Sequence, residues 1–172
     1  LVHAALQHAE FVVVQDAYAH TATTAYADVL LPATTWAEKD GTVTNSERCI
    51  SRVRPALAPF GQARQDWEIA VAIAKRLEVK LAHRRQDVST SLFEYTDAQT
   101  IWNDHRELTR GRDLDITGLS YARLEARGPT QWPYPIGALK GRMRLYEDGV
   151  FQTPNGKARF IASPYRATAE RT

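Results

Sequence analysis

Gln15 and Asp16 are the first side chains of the sequence that could do chemistry. They follow the apolar run of residues 11–14, which has the composition of a buried strand. Open α/β sheets bind ligands beyond the carboxyl ends of their strands. A carboxylate at that place can accept the paired N–H donors of a guanine edge. Asp16 could also close a turn or cap a helix, and its position alone favours this second interpretation.

Lys39 and Asp66 offer a second kind of contact. Lys39 lies in the turn of residues 38–41, where its ammonium could meet a phosphate or pyrophosphate as a point charge, or remain a solvated loop charge. Asp66 directly precedes a stretch of helical periodicity and could either cap that helix or meet a ligand. For both residues the functional and the structural interpretation remain open at this point.

The segment of residues 44–48 crowds side-chain donors and acceptors into one turn. A binding site and a hydrogen-bonded turn look alike in such a segment. The five histidines are scattered without the spacing of metal ligands, and Cys49 has no base beside it in sequence. No hydrolytic triad and no glycine-rich phosphate loop can be assembled either. We therefore predict no catalytic residue and no metal ligand in this chain.

The elements that position these residues begin with two short strands. A helix is predicted over residues 2–9, a strand buried on both faces over residues 11–16, and a second apolar strand over residues 27–32, which ends at proline. A connection of about ten residues between two buried strands favours parallel pairing. The sequence thus predicts an α/β fold with a small, mostly parallel, Rossmann-like sheet flanked by helices.

Three helices are predicted after the strands. The clearest covers residues 66–77, where apolar residues recur at intervals of three and four, and two others cover residues 97–108 and 120–126. Residues 1–126 are therefore interpreted as one α/β domain. Prolines and glycines accumulate from residue 128 onward, and residues 127–172 are interpreted as an irregular C-terminal arm.

Four further segments have strand-like composition. Residues 41–45 favour a strand, and residues 47–54 alternate imperfectly, which indicates an exposed extended segment. Within the arm, residues 142–146 and 158–161 are predicted as strands.

Composition excludes several classes of function. The net charge of +2 arises from 22 basic against 20 acidic side chains, which is too balanced for a nucleic-acid-binding protein. One cysteine rules out an intrachain disulfide, and no apolar run is long enough to span a membrane. We expect a cytoplasmic protein without a membrane or nucleic-acid partner. Because the sequence opens on Leu1-Val2-His3, we also expect an internal piece of a longer chain.

The order of the short motifs resembles the molybdopterin-guanine-dinucleotide oxidoreductases. The matching segments of the first 80 residues read VVVQD, ADVLLPA, WAEKDGT, TNSER and ARQDWEI. Farther along, the segments GPTQWP, RLY and FQTPNGKARF are similar to the stretch that precedes the C-terminal cofactor domain in assimilatory nitrate reductases. This second group of motifs favours the nitrate reductase branch of the family.

The resemblance implies roles for four residues. Gln15 and Asp16 match the strand-end pair that contacts the guanine dinucleotide, although the first of the pair is commonly Ser in periplasmic relatives. Lys39 and Asp66 match two further cofactor contacts. The implied cofactors of the full-length parent are bis-molybdopterin guanine dinucleotide with molybdenum and a 4Fe–4S cluster. The cysteine motif, the molybdenum ligand and the C-terminal barrel of the family are not in this chain, so the isolated chain is expected to be inactive and metal-free.

Two alternatives remain beside a nitrate reductase fragment. One is the alpha subunit of a formate dehydrogenase, which has similar motifs. The other is a respiratory-complex subunit that shares the fold and serves as an electron-transfer scaffold; retention of Asp16, Lys39 and Asp66 argues against it. The implied partners are the remaining domains of the parent chain and an electron-donor protein or reductase subunit.

Overall fold

The computed structural model describes residues 1–81 and 91–169, which form four α-helices and five β-strands. The helices are α1 (Val2–His8), α2 (Asp66–Leu81), α3 (Ala98–Leu108) and α4 (Tyr121–Arg127). The strands are β1 (Val13–Asp16), β2 (Val29–Pro32), β3 (Gly41–Thr44), β4 (Cys49–Val53) and β5 (Thr130–Gln131). The predicted α/β class is confirmed.

Strands β1 and β2 pair in parallel, as the sequence predicts. Val13 lies opposite Val29 and Asp16 lies opposite Pro32, so the two strands end at the same level. The Asp28 carboxylate accepts a hydrogen bond of 2.7 Å from the amide of Val12, which fixes this register just before both strands begin. The carboxyl ends of the pair therefore form one edge.

The expected burial of these strands on both faces is wrong for this chain. Val13 is 47% exposed and Val29 is 38% exposed, whereas Val12 is buried. A parallel sheet is buried where helices cover both of its faces. Helix α1 buries none of its own residues and so provides no packed cover for the pair.

A second, antiparallel sheet has the strand order β3-β4-β5, and the sequence analysis did not anticipate it. Residues 47–54, interpreted there as an exposed extended segment, contain the central strand β4 of this sheet, and the side chain of Ile50 is only 2% exposed. The interpretation was wrong because β5, the partner that helps to cover β4, lies some 80 residues farther along the chain and leaves no local signal.

The hydrophobic core lies against this antiparallel sheet. It combines β4, α3, α4 and the segments around them in one cluster: Ile50, Trp102, Ile116, Leu119, Tyr121, Leu124 and Tyr134. Trp102 donates its indole N–H to the carbonyl of Leu119 at 2.7 Å, so the largest side chain of the cluster buries no unpaired donor. Strand β5 and Tyr134 follow residue 127 in sequence, yet both belong to this sheet and core.

The predicted helices are present with small differences at their ends. Helix α2 continues to Leu81, and α3 and α4 begin after Asp97 and Ser120, whose side chains accept from Thr100 N and Arg123 N. Asp and Ser are preferred at such N-cap positions because they satisfy amides that have no partner within the helix.

The strands predicted over residues 142–146 and 158–161 are absent from the described part of the chain. The carbonyls of Arg142 and Met143 accept instead from the guanidinium of Arg48, at 3.0 and 2.8 Å. Tyr146 has a φ of +55°, which is incompatible with an extended strand. Backbone groups that bond to an arginine side chain are not available for a ladder between strands.

Glu38 anchors the turn that follows β2. One of its carboxylate oxygens accepts from the amide and the hydroxyl of Thr35, at 2.8 and 3.0 Å, and the other accepts from the amide of Phe60 at 2.8 Å. These hydrogen bonds, led by the one from the Thr35 amide, lower the pKa of Glu38 below its ordinary value. A buried carboxylate thus holds the turn of residues 35–38 against the loop that leads to α2.

Substitution of Leu119 by Ala should destabilise the fold by about 2–5 kcal/mol, because the side chain is fully buried and a cavity would remain. The matched control is Leu139→Ala, at a leucine that is 95% exposed, which should leave stability nearly unchanged. Urea unfolding of the two variants beside the wild type measures the difference. Equal midpoints for both variants would contradict the location of the core.

Substitution of Glu38 by Gln should remove part of the acid sensitivity of the fold. Because the folded pKa of Glu38 is depressed, its contribution to stability is present above the ordinary pKa of 4.5 and is lost as the pH falls through the folded value. Thermal melting across pH 3–7 should therefore show a smaller decline for Glu38→Gln than for the wild type, together with a lower melting temperature at pH 7. Parallel curves would show that Glu38 does not anchor the turn.

Candidate functional site

The candidate site lies at the carboxyl edge of the parallel strand pair. Gln15 and Asp16 end β1, and the carbonyl of Asp16 accepts from the amide of Ala33, just after β2, at 3.0 Å. Ala33 in turn bridges in parallel to Arg64, whose amide and carbonyl bond to Pro32 and Thr34 at 3.1 and 3.0 Å. Three chain segments therefore meet at one edge, and the third leads directly into α2.

Asp66 contacts two of the other three predicted site residues at this edge. The Nζ of Lys39 lies 2.6 Å from Oδ2 of Asp66, and the amide Nε2 of Gln15 donates to Oδ1 of Asp66 at 2.7 Å. Each oxygen of the Asp66 carboxylate thus has one donor of its own. These residues are 24 and 27 positions apart in sequence, so only the fold brings them together.

Asp66 does not cap α2. Its carboxylate bonds to Lys39 and Gln15, whereas the first turn of the helix is closed by Gln65, whose carbonyl accepts from Glu68 N at 3.0 Å and whose amide donates to the Glu68 carboxylate at 3.0 Å. Asp66 is therefore not the N-cap of α2, and its carboxylate instead contacts the other residues of the candidate site.

The ionisation of Asp66 follows from these contacts. Partial burial by itself would raise its pKa, but the hydrogen bonds from Lys39 and Gln15 and the positive charge of Lys39 outweigh that effect and lower the pKa below its ordinary value. Asp66 is thus an anion at neutral pH. Its side chain is 49% exposed and that of Lys39 is 29% exposed, so both groups remain accessible to a ligand.

Asp16 lies at the same edge but has a different local role. Its Oδ1 accepts from the amide of Tyr18 at 2.9 Å, which closes an Asx turn directly after β1. The ammonium of Lys39 pairs with Asp66 and not with Asp16. The turn interpretation of Asp16 is therefore supported by the structure, and Oδ2 is the carboxylate oxygen that this turn does not use.

Sequence reasoning missed two residues that support Lys39. Glu38 anchors the preceding turn, and the spacing Thr35-x-x-Glu38, which is that of a capping box, was the signal that could have revealed it. Gln65 accepts from the amide of Asp40 through its side chain at 2.9 Å. No local pattern could have revealed Gln65, because its partner is 25 residues away.

The segment of residues 44–48 is a structural turn. Asn45 accepts through its side chain from the amides of Glu47 and Cys49, at 3.0 and 2.9 Å, and so closes the hairpin between β3 and β4. Arg48 directs its guanidinium toward the carbonyls of Trp132, Arg142 and Met143. These groups therefore hold the chain together and do not face the candidate site.

Other kinds of site find no support in residues 1–81 and 91–169. No group of three or more His, Cys, Asp or Glu side chains there could hold a metal ion. His83 lies outside the described residues. No helix in the same ranges is long and apolar enough to cross a membrane. The arrangement at the edge consists of one ammonium, two carboxylates and one amide, which is suited to holding a polar, partly anionic ligand.

Known proteins similar to this chain bear on that ligand. The family model described as molybdopterin oxidoreductase matches residues 1–76, which include all four candidate site residues. The nitrate reductase of Synechocystis is 38% identical over 98% of this chain, and the assimilatory nitrate reductase of Haloferax mediterranei is 39% identical over 87%. The F420-dependent formate dehydrogenase subunit alpha of Methanocaldococcus jannaschii is 37% identical over 98%.

These relatives are much longer proteins. The chain spans 23% of the Synechocystis and Methanocaldococcus relatives and 20% of the Haloferax relative. The similarity nevertheless runs through nearly all of the present chain at more than a third identity and agrees with the match of the family model. The chain therefore belongs to the molybdopterin oxidoreductase family.

Proposed function

We propose that this chain is part of a molybdenum-dependent nitrate reductase and that it binds one guanine dinucleotide arm of bis-molybdopterin guanine dinucleotide. The observation that carries the proposal is the cluster of Gln15, Lys39 and Asp66 at the carboxyl edge of the parallel strands. That edge is where α/β sheets bind nucleotides. The names of the Synechocystis and Haloferax relatives support the substrate.

The side chains of the site fit the chemistry of a guanine dinucleotide. Lys39 provides a point charge for a phosphate oxygen. An ionised carboxylate has about four lone-pair positions, and two of those on Asp66 are used by Lys39 and Gln15, so the remaining ones can accept from N–H donors. Oδ2 of Asp16 offers a further acceptor at the same edge. A guanine base presents N–H donors and a pyrophosphate presents anionic oxygens, which correspond to these two kinds of group.

The reduction of nitrate requires the whole protein. When bound, the molybdenum cofactor supplies the two-electron chemistry that, with two protons, converts nitrate to nitrite and water. The residues of this chain bind and orient one arm of the cofactor and do not touch nitrate. The electron donor would be a partner protein or a reductase subunit, and a 4Fe–4S cluster would be held by parts of the parent outside this chain. The place of action in this proposal is the cytoplasm.

A second candidate function is favoured by one observation. The Methanocaldococcus relative, a formate dehydrogenase subunit, covers as much of this chain as the Synechocystis protein does, at nearly the same identity. The four candidate site residues would serve the same cofactor in either enzyme, because they bind its nucleotide arm. Assay of the whole protein with nitrate and with formate separates the two functions.

Substitution of Asp66 by Asn tests the binding role. The change replaces one carboxylate oxygen by an NH₂ group, which would face the donors of the guanine, so the whole protein should lose much of its guanine nucleotide and molybdenum. In the isolated chain, without cofactor, the melting temperature should change by no more than a degree or two, which corresponds to well under 1 kcal/mol at a solvent-accessible ion pair. Molybdenum and acid-released GMP per chain are measured against Asp113→Asn, at an exposed carboxylate away from the edge. Normal cofactor content in Asp66→Asn would contradict the role.

Two substitutions at Asp16 separate its turn from its binding role. Asp16→Ala removes both the turn acceptor and the ligand acceptor, whereas Asp16→Asn keeps an oxygen for the amide of Tyr18. We expect both variants to lose cofactor, with an effect of about 1.5–3 kcal/mol for a hydrogen bond to a charged group. If Asp16→Asn retained cofactor like the wild type while Asp16→Ala lost it, Asp16 would only shape the turn.

A further inference from the structure

Gln65 connects the backbone segments that carry Lys39 and Asp66, the ion pair of the candidate site. It directly precedes Asp66, and its Oε1 accepts from the amide of Asp40, which directly follows Lys39, at 2.9 Å. The same oxygen accepts from the indole N–H of Trp67 at 3.3 Å. One side-chain oxygen therefore joins the start of α2 to the turn that carries Lys39.

The other contacts of that turn make the connection rigid. Glu38, which directly precedes Lys39, accepts from the amide of Phe60 at 2.8 Å. Arg52 donates to the Asp40 carboxylate and the Gly41 carbonyl, at 2.7 and 2.6 Å. The side chain of Arg52 is only 10% exposed, and its guanidinium lies 3.6 Å from the ring centre of Tyr121. Lys39 is thus held on both sides, and Gln65 is the contact that relates it to Asp66.

The Lys39–Asp66 pair does not set its own geometry. Asp66 is exposed and Lys39 is partly exposed, and ion pairs that solvent can reach typically contribute too little to hold two side chains in one arrangement. The spacing of the pair must therefore come from the backbone segments that carry it. Apart from the ion pair itself, the Gln65–Asp40 hydrogen bond is the contact between those two segments that lies closest to both residues in sequence.

We propose that Gln65 is a positioning residue that fixes the spacing of Lys39 and Asp66 and so preorganises the site for a guanine dinucleotide. The proposal rests on the proposed function of that site. Preorganisation raises affinity because the ligand need not order the groups that bind it. Gln65 itself makes no contact with the ligand in this scheme; it acts through Lys39 and Asp66.

Two substitutions distinguish the role of the accepting oxygen of Gln65 from the role of its side-chain size. Gln65→Met has similar length but lacks the oxygen, whereas Gln65→Glu keeps an oxygen that accepts from both N–H donors. In the whole protein, Gln65→Met should release its guanine nucleotide about tenfold faster than the wild type, the size expected for losing the hydrogen bond that joins the two segments. Gln65→Glu should retain it within about twofold, by the same reasoning.

A double-mutant cycle with Lys39→Met distinguishes positioning from general destabilisation. Lys39→Met alone should also accelerate release. If Gln65 acts through Lys39, then Gln65→Met should add much less than its tenfold effect once Lys39 is gone, whereas a purely structural effect would be independent and additive. The measured quantity is guanine nucleotide released per chain over time, recorded beside the melting temperature of each variant.

The outcomes separate this inference from the function on which it rests. Equal acceleration by Gln65→Met with and without Lys39, or loss of nucleotide in Gln65→Glu, would overturn the positioning role while leaving the site in place. Unchanged release in Lys39→Met and Asp66→Asn would overturn the proposed function, and the role of Gln65 with it. If Gln65→Met does not accumulate as folded protein, Gln65→Leu takes its place in the cycle, because it also lacks the accepting oxygen and should accelerate release in the same way.

Discussion

The parallel pairing of β1 and β2 is the constraint on which the candidate site depends. Because the two strands run in the same direction and end in register, Asp16 and Pro32 finish at one level. Arg64 continues the pattern beside Ala33, so the chain enters α2 from that same edge. An antiparallel arrangement of β1 and β2 would place their polar ends on opposite sides. The meeting of Gln15 with Asp66 is a direct consequence of strand direction.

The antiparallel sheet and its core stabilise this edge from outside. Arg52 extends from β4 to the Asp40 carboxylate while its guanidinium stacks on Tyr121, a member of the hydrophobic cluster. The turn that carries Lys39 is therefore connected to the best-packed part of the molecule, although the strands β1 and β2 are themselves partly exposed. Rigidity at the site comes from the core, and access to the site comes from the exposed strand pair.

Local patterns predicted the elements of this fold better than its long-range contacts. The helical periodicity after Asp66 and the two apolar strands with a short connection were sufficient to predict α2 and the parallel pair. The second sheet was missed because β4 and β5 are distant in sequence. The strands predicted over residues 142–146 and 158–161 were wrong because composition does not reveal whether a partner strand exists.

The same contrast between local sequence patterns and long-range contacts applies to the candidate site. The motifs identified Gln15, Asp16, Lys39 and Asp66 as residues of interest, but they could not show that three of them touch while Asp16 closes a turn. Nor could they reveal Gln65, since a glutamine before a helix has many possible partners. The local sequence drew attention to these residues and the family resemblance implied their roles, whereas their arrangement depends on contacts between segments 25 to 51 residues apart.

The pairing of Lys39 with Asp66 also has a consequence for the kind of ligand that the site can take under the proposed function. Before binding, the ammonium and the carboxylate neutralise one another, and an exposed pair of this kind is worth only about 0.2–1 kcal/mol. A phosphate alone would engage Lys39 but would bring a second anion next to Asp66, whose lowered pKa keeps it charged. A ligand that presents an anionic oxygen to Lys39 and N–H donors to Asp66 avoids that repulsion. A nucleotide with both kinds of group is therefore favoured over a simple anion by the charge arrangement itself.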